Sequence, residues 1–102
     1  MVKVISTFSL KPGYDPEETD KLWTEDHVPH VKKILSPELQ GYVIGRVVHN
    51  LTGGEFYGGV RLSFHSLEDA KRAFGRLLAH PDEFTARICN IRRIIVEERD
   101  LM

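Results

Sequence analysis

The chain has 102 residues, with 14 lysines and arginines against 15 aspartates and glutamates and a formal net charge of −1. This length indicates one domain, and the near-neutral charge excludes a general electrostatic attraction to nucleic acid or to an anionic membrane. A single cysteine, Cys89, excludes an intrachain disulfide framework and a cysteine zinc cluster. No apolar run approaches the ~20 residues of a bilayer-spanning helix, and the N-terminus does not resemble a signal peptide. We therefore expect one soluble, cytoplasmic domain over residues 1–102.

The first third of the chain predicts a strand followed by a long helix. Residues 2–10 are rich in Val, Ile, Thr and Phe, which favour strands. Asp15 as N-cap, Pro16 at the first helical position and Glu18 in a capping box then predict the start of a helix. This helix is expected to run to about Leu35, because a Ser-Pro pair follows it.

The rest of the chain predicts three more strands and a second helix. These elements are strands at 40–49, 56–64 and 91–97, a helix from a Ser66 capping box to about His80, and a short helical turn within 82–90. Gly53-Gly54 predicts the reversal between the two middle strands. In the strand 56–64, alternation places Tyr57, Arg61 and Ser63 on the face away from the helices.

The resulting order is β-α-β-β-α-β, which predicts an α+β, ferredoxin-like fold. In this fold two helices cover one face of a four-stranded antiparallel sheet. The opposite face needs its own cover, and its amphipathic character predicts a homodimer.

The segment from Trp23 to Val31 is the most informative part of the sequence. At 100° per residue, Trp23, His27 and Val31 share one apolar helix stripe, so His27 should point toward the sheet. His30 lies about 60° to the side of His27 by the same geometry. Pro29 inside a helix should kink it at a cost of about 3 kcal/mol, which predicts a special local geometry that compensates.

These residues resemble the EthD family of dimeric α+β barrel proteins. The resemblance rests on Trp-x-x-x-His-x-Pro at Trp23, His27 and Pro29, on the Lys-Pro-Gly-Tyr-Asp-Pro-Glu-Glu junction at 11–18, and on the approach to the second strand at 37–42. It covers most of the chain in element order. It implies a small-molecule cavity between the sheet and the helices, as in wider relatives that include cyclases, isomerases, monooxygenases and haem-degrading enzymes.

A buried imidazole on an apolar wall predicts a neutral base near pH 7, because burial lowers the pKa of histidine. We therefore assign His27 as the candidate general base, and His30 or Tyr42 as the group that supplies a second proton or holds an oxyanion. The candidate substrate-binding residues are Trp23, Tyr42, Arg46 and Phe64. Three structural alternatives stay open at this point: His27 as a satisfied core histidine, Trp23 as core filler, and Arg46 as a surface or dimer-contact arginine.

Two classes of function follow. The first is a cofactor-independent enzyme that moves a proton on a small apolar carbonyl or aromatic compound, in the manner of an isomerase, cyclase or lyase. The second is a non-catalytic protein that binds a small hydrophobic molecule or assists a degradation pathway. His27 and His30 lie three residues apart without a third ligand, so the sequence predicts no metal site and no cofactor.

Overall fold

A computed structural model describes residues 1–102. Its elements, in chain order, are β1 (Val2–Leu10), α1 (Pro16–Leu22), a π-helical turn (Trp23–His27), α2 (Val28–Leu35), β2 (Gly41–Arg46), β3 (Gly58–Phe64), α3 (Leu67–Leu78), α4 (Glu83–Ala86) and β4 (Ile88–Glu97). The four strands form one antiparallel sheet in the order β2-β3-β1-β4. The predicted ferredoxin-like α+β fold is confirmed.

Side-chain caps fix the start of each helical segment that follows a strand or loop. Asp15 accepts a hydrogen bond from the Glu18 amide at 2.8 Å, and Ser66 accepts one from the Asp69 amide at 3.1 Å. These bonds satisfy amide groups that have no partner inside the helix. Both predicted capping positions are therefore confirmed.

The long first helix is not regular α-helix throughout. The five residues Trp23–His27 within it form a π-helical turn, in which the Val28 amide donates to the Trp23 carbonyl. Proline cannot donate a hydrogen bond, and its ring crowds the preceding turn of an α-helix. A widened turn just before Pro29 relieves this crowding, and π turns of this kind are frequent at functional sites. The turn is the compensating geometry that the proline predicted.

The helices cover one face of the sheet through two buried clusters. The first cluster contains Val4, Val31, Leu35, Leu62, Phe64, Ala70 and Ala73. The second contains Phe8, Trp23, Tyr57, Phe84 and Ile88. The predicted stripe on the first helix holds for Trp23 and Val31, which are both buried.

Tyr57 does not lie on the outer face of the sheet, so that prediction is wrong. The regular strand β3 begins at Gly58, not at residue 56, and the Tyr57 ring turns inward to lie 5.7 Å from the Trp23 ring. The Tyr57 amide donates to the Phe8 carbonyl at 2.9 Å, and the Tyr57 hydroxyl donates to the Pro16 carbonyl at 3.3 Å. These bonds hold the residue outside the alternation that the sequence suggested.

A β-bulge shapes the last strand. Thr7 pairs with Arg92 and Ser9 with Cys89, so β4 contributes one more residue than β1 between these two pairs. Asn90 takes up the extra residue with a φ of 52°, a conformation that asparagine tolerates better than most residues. The bulge keeps both ends of β4 in the sheet. The strand therefore begins at Ile88, three residues before the predicted start.

None of the helices combines the length and the apolar character that crossing a membrane requires.

Candidate functional site

A cavity of about 100 Å³ lies between the sheet and the helices. Eleven of its eighteen lining residues are hydrophobic. Polar groups come from Tyr42, which is one of these eleven, and from Ser6, His27, His30, His80, Thr85 and Arg93. No aspartate or glutamate lines it. A mostly apolar pocket with a few convergent polar groups is the usual form of a small-molecule site.

His27 enters this cavity from the end of the π-helical turn. Its Nδ1 lies 2.5 Å from Oδ2 of Asp82, and the two side chains are only 13% and 20% exposed. The Phe84 ring lies 4.6 Å from the imidazole, between centroids, and covers it with apolar surface. The other ring nitrogen, Nε2, makes no hydrogen bond within the chain. His27 is therefore held at one nitrogen and free to act at the other.

Charge and burial set the protonation states of this pair. Burial lowers the pKa of His27 below 6.5, and this effect outweighs the hydrogen bond and negative charge of Asp82, which raise it. Burial raises the pKa of Asp82, but hydrogen bonds from His27 and Thr85 lower it by more, so the net shift is downward. Near pH 7 the pair therefore consists of a neutral imidazole and a carboxylate. Since the carboxylate only accepts, Nδ1 carries the proton and Nε2 presents a lone pair.

Asp82 is itself fixed by the short helix α4. Its Oδ1 accepts hydrogen bonds from the Thr85 amide at 3.0 Å and from the Thr85 hydroxyl at 2.7 Å. One carboxylate oxygen thus caps α4 while the other orients His27. A histidine held at one nitrogen by an anchored carboxylate keeps a fixed tautomer and ring orientation.

His30 lines the same cavity but is engaged differently. Its Nε2 donates to the His80 carbonyl at 2.8 Å, and Nδ1 of His80 donates to the Arg76 carbonyl at 2.9 Å. These bonds tie α2 to the loop that carries Asp82. No three His, Cys, Asp or Glu side chains come together in a way that could hold a metal ion.

Tyr42 lines the cavity from β2, the edge strand. Its hydroxyl makes no hydrogen bond within the chain. Burial, followed by the negative charge of Asp82, raises the pKa of the phenol well above its usual value of 10.0. The hydroxyl therefore stays protonated and can donate a hydrogen bond to a ligand in the cavity.

Three predicted substrate-binding residues do not line the cavity. Trp23 and Phe64 are fully enclosed in the two core clusters. Trp23 lies against Gly58, where an added Cβ would come within 2.6 Å of its ring. Arg46 is exposed, 3.8 Å from Asp20 and 4.9 Å above the Tyr57 ring. The structure thus brings together His27, His30 and Tyr42, and gives Trp23, Phe64 and Arg46 structural contacts elsewhere.

Sequence reasoning missed Asp82. The signal for it was its residue type, since aspartate is a preferred N-cap and Asp82 stands at the start of the short helical turn predicted within 82–90. That pattern identifies a cap but does not indicate that the second carboxylate oxygen meets a histidine 55 positions earlier.

The fold is shared with solved structures of low sequence identity. An EthD family protein from Bacillus halodurans is 22% identical with a TM-score of 0.68, over 97% of this chain and 99% of that one. The chain has the fold of an EthD family protein. This confirms, at the level of the fold, the resemblance seen in residues 11–42.

Two further structures show the same likeness. A hydroxynitrile lyase from Passiflora edulis is 15% identical with a TM-score of 0.70, over 99% of this chain and 95% of that one. A dimeric protein of unknown function and ferredoxin-like fold from Bacteroides fragilis is 16% identical with a TM-score of 0.62, over 95% of both chains. No family model and no curated protein matches the sequence.

Proposed function

We propose that the protein is a cofactor-independent enzyme that transfers a proton on a small, mostly apolar carbonyl compound. The observation that carries this proposal is the His27–Asp82 pair at the wall of an apolar cavity. Burial keeps the imidazole neutral, the carboxylate orients it, and Nε2 remains free for a substrate. A structural core histidine would have partners at both nitrogens.

The chemical step is proton abstraction from a carbon next to a carbonyl group. Nε2 of His27 takes the proton, the C–H electron pair forms the new carbon–carbon double bond, and the carbonyl electrons move onto oxygen. The Tyr42 hydroxyl donates a hydrogen bond to that developing oxyanion. Replacement of the Nε2 proton by one from solvent, followed by its return to the same carbon, gives hydrogen exchange. Delivery of the proton to a different carbon of the enolate completes an isomerisation. His30 lies at the same wall, but its Nε2–H is donated to the His80 carbonyl, so we assign the donor role to Tyr42.

The fold is compatible with such chemistry, since it also carries a hydroxynitrile lyase in Passiflora edulis. The small cavity and its apolar lining favour lactones, cyclic ketones and acetyl-substituted aromatic compounds. We also propose that the chain forms a homodimer through the sheet face opposite the helices, as the dimeric neighbour from Bacteroides fragilis suggests.

The test is solvent deuterium exchange, followed by NMR, on a panel of those carbonyl compounds. We expect the wild-type protein to accelerate exchange at the carbon next to the carbonyl in at least one member. His27→Gln should reduce this acceleration by about 10²–10⁴-fold, the usual contribution of a positioned base. Tyr42→Phe should reduce it by about a hundredfold through loss of the oxyanion donor.

Two matched variants serve as controls. His49→Gln removes an exposed histidine outside the cavity, and Tyr57→Phe removes a hydroxyl that bonds to Pro16. Both should exchange at the wild-type rate. Exchange that persists at the wild-type rate in His27→Gln would show that His27 is not the general base. Binding of a panel member without any exchange would support the non-catalytic alternative, for which the apolar cavity alone suffices.

A further inference from the structure

The cavity holds a second polar pair, distinct from the His27–Asp82 pair, on the floor formed by the sheet. Ser6 on β1 and Arg93 on β4 are direct cross-strand partners, and both line the cavity. Residues in such register have Cβ atoms about 5 Å apart, so their polar ends can meet one ligand group.

Arg93 has no counter-ion in the chain. Other arginines near the helices make ion pairs, for example Arg76 with Glu38 at 2.6 Å and Arg87 with Glu83 at 2.9 Å. Arg93 makes neither an ion pair nor a hydrogen bond. Its guanidinium lies 5.4 Å above the Phe74 ring, which holds it at the cavity wall. The residue is partly open to solvent, and no acidic side chain in the cavity lining competes with an anionic ligand for its guanidinium.

Ser6 supplies an unpaired donor beside that charge. The residue is only 8% exposed, and its hydroxyl makes no hydrogen bond within the chain. The hydroxyl oxygen is not fully enclosed, so it can reach a ligand in the cavity that it lines. The open partner positions of Ser6 and Arg93 therefore face the same space.

We infer that Ser6 and Arg93 form a carboxylate-binding subsite, so that the substrate of the proposed enzyme is a small organic acid. That the bound acid is a substrate rests on the proposed function, whereas the binding of a carboxylate does not. The planar guanidinium matches the two oxygens of a carboxylate, and the hydroxyl adds a third donor. One arginine in a mostly apolar cavity suits a monoanion with an apolar body. The carboxylate lies toward β4, and the reacting carbonyl lies toward Tyr42 on β2.

The test compares benzoate with benzamide, which have nearly the same shape and differ in charge. Dissociation constants come from NMR titration of the full-length protein. We expect the wild-type protein to bind benzoate at least about tenfold more tightly than benzamide. Arg93→Met should abolish this preference, since its chain still covers Phe74 but carries no charge. Ser6→Ala should weaken benzoate binding a few-fold and leave benzamide binding unchanged.

Arg99→Met is the control, because it removes the same charge from an exposed arginine beyond β4, and it should keep the preference. A preference that survives in Arg93→Met, an equal affinity of the wild-type protein for both probes, or no saturable binding of benzoate would each overturn the subsite. His27→Gln, which should lose deuterium exchange, should still prefer benzoate. Failure of the exchange assay and failure of the subsite are therefore separate outcomes.

Discussion

At the scale of single residues, the chemistry of His27 depends on contacts made by distant parts of the chain. Burial under Phe84 favours the neutral ring, while Asp82 fixes which nitrogen carries the proton. These two effects oppose each other in the pKa of His27, and burial dominates. The inward direction of His27 followed from its helix stripe. The identity of its partner, Asp82, could not be predicted, because the contact of α4 with the first helix is set by tertiary packing alone.

The conservative variant Asp82→Asn isolates the electrostatic part of this pair. Asparagine still caps a helix, so α4 should remain formed. Loss of the negative charge and of its strong hydrogen bond should lower the pKa of His27 further. An NMR titration of the imidazole should show a wild-type midpoint below 6.5 and a lower one in the variant. Glu83→Gln, which removes a charge paired with Arg87, should leave the midpoint in place. A higher pKa of His27 in Asp82→Asn would contradict the proposed effect of the Asp82 charge on the imidazole.

The same shift gives the fold a pH dependence of known sign. The folded-state pKa of His27 lies below its usual 6.5, so the unfolded chain binds more protons between these two values. The free energy of unfolding should therefore decrease as the pH falls from 6.5 toward the folded-state pKa. Urea unfolding across this range should show a smaller decrease in His27→Gln than in the wild-type protein. Equal decreases in the two proteins would contradict the lowered pKa.

At the scale of elements, local signals predicted more than long-range ones. The helix starts at Pro16 and Leu67 followed from their caps, because capping is decided within four residues. Pro29 predicted a special geometry but not its type, since a π turn and a simple kink both accommodate proline. The bulge at Asn90 could not be predicted, because it depends on the register with β1. This bulge sets the start of β4, which carries Arg93.

Substitution of Gly58 tests whether Trp23 is a tightly packed core residue and not part of the cavity wall. A Cβ at this position would lie 2.6 Å from the Trp23 ring, closer than packed atoms can approach. Gly58→Ala should therefore lower the free energy of unfolding by about 1–3 kcal/mol, as overpacked cores usually do. Chemical denaturation gives this value.

Gly75→Ala is the matched control for this substitution. Gly75 lies inside α3, and an added Cβ there meets no atom within 4 Å. Alanine favours the helix by about 0.5–1 kcal/mol over glycine at such a position, so this variant should be more stable than the wild type. Equal effects of the two substitutions would show that Trp23 can move away from the β3 backbone.

At the scale of the whole molecule, helices cover only one face of the sheet. The helices bury the face that carries Val4 and Leu62. On the other face one register row crosses all four strands as Val43, Arg61, Ile5 and Ile94. Val43 and Ile94, on the two edge strands, are 53% and 57% exposed, so the outer face carries uncovered apolar side chains at both ends of this row. A second copy that meets this row across a two-fold axis would bury all four side chains.

Ile94→Glu should separate the proposed homodimer. A carboxylate at position 94 lies beside Ile5 and two strands away from Arg61, so burying its charge in the contact is strongly unfavourable. Sedimentation equilibrium at micromolar concentration should give twice the 11.7 kDa chain mass for the wild type and the single-chain mass for Ile94→Glu. Leu51→Glu makes a similar change at a loop position that is 92% exposed, and it should leave the dimer intact. A wild-type protein that sediments as a single chain would show that this sheet face stays open. Because the cavity lies on the opposite face, the monomeric variant should still bind benzoate, so assembly and ligand binding can be measured independently.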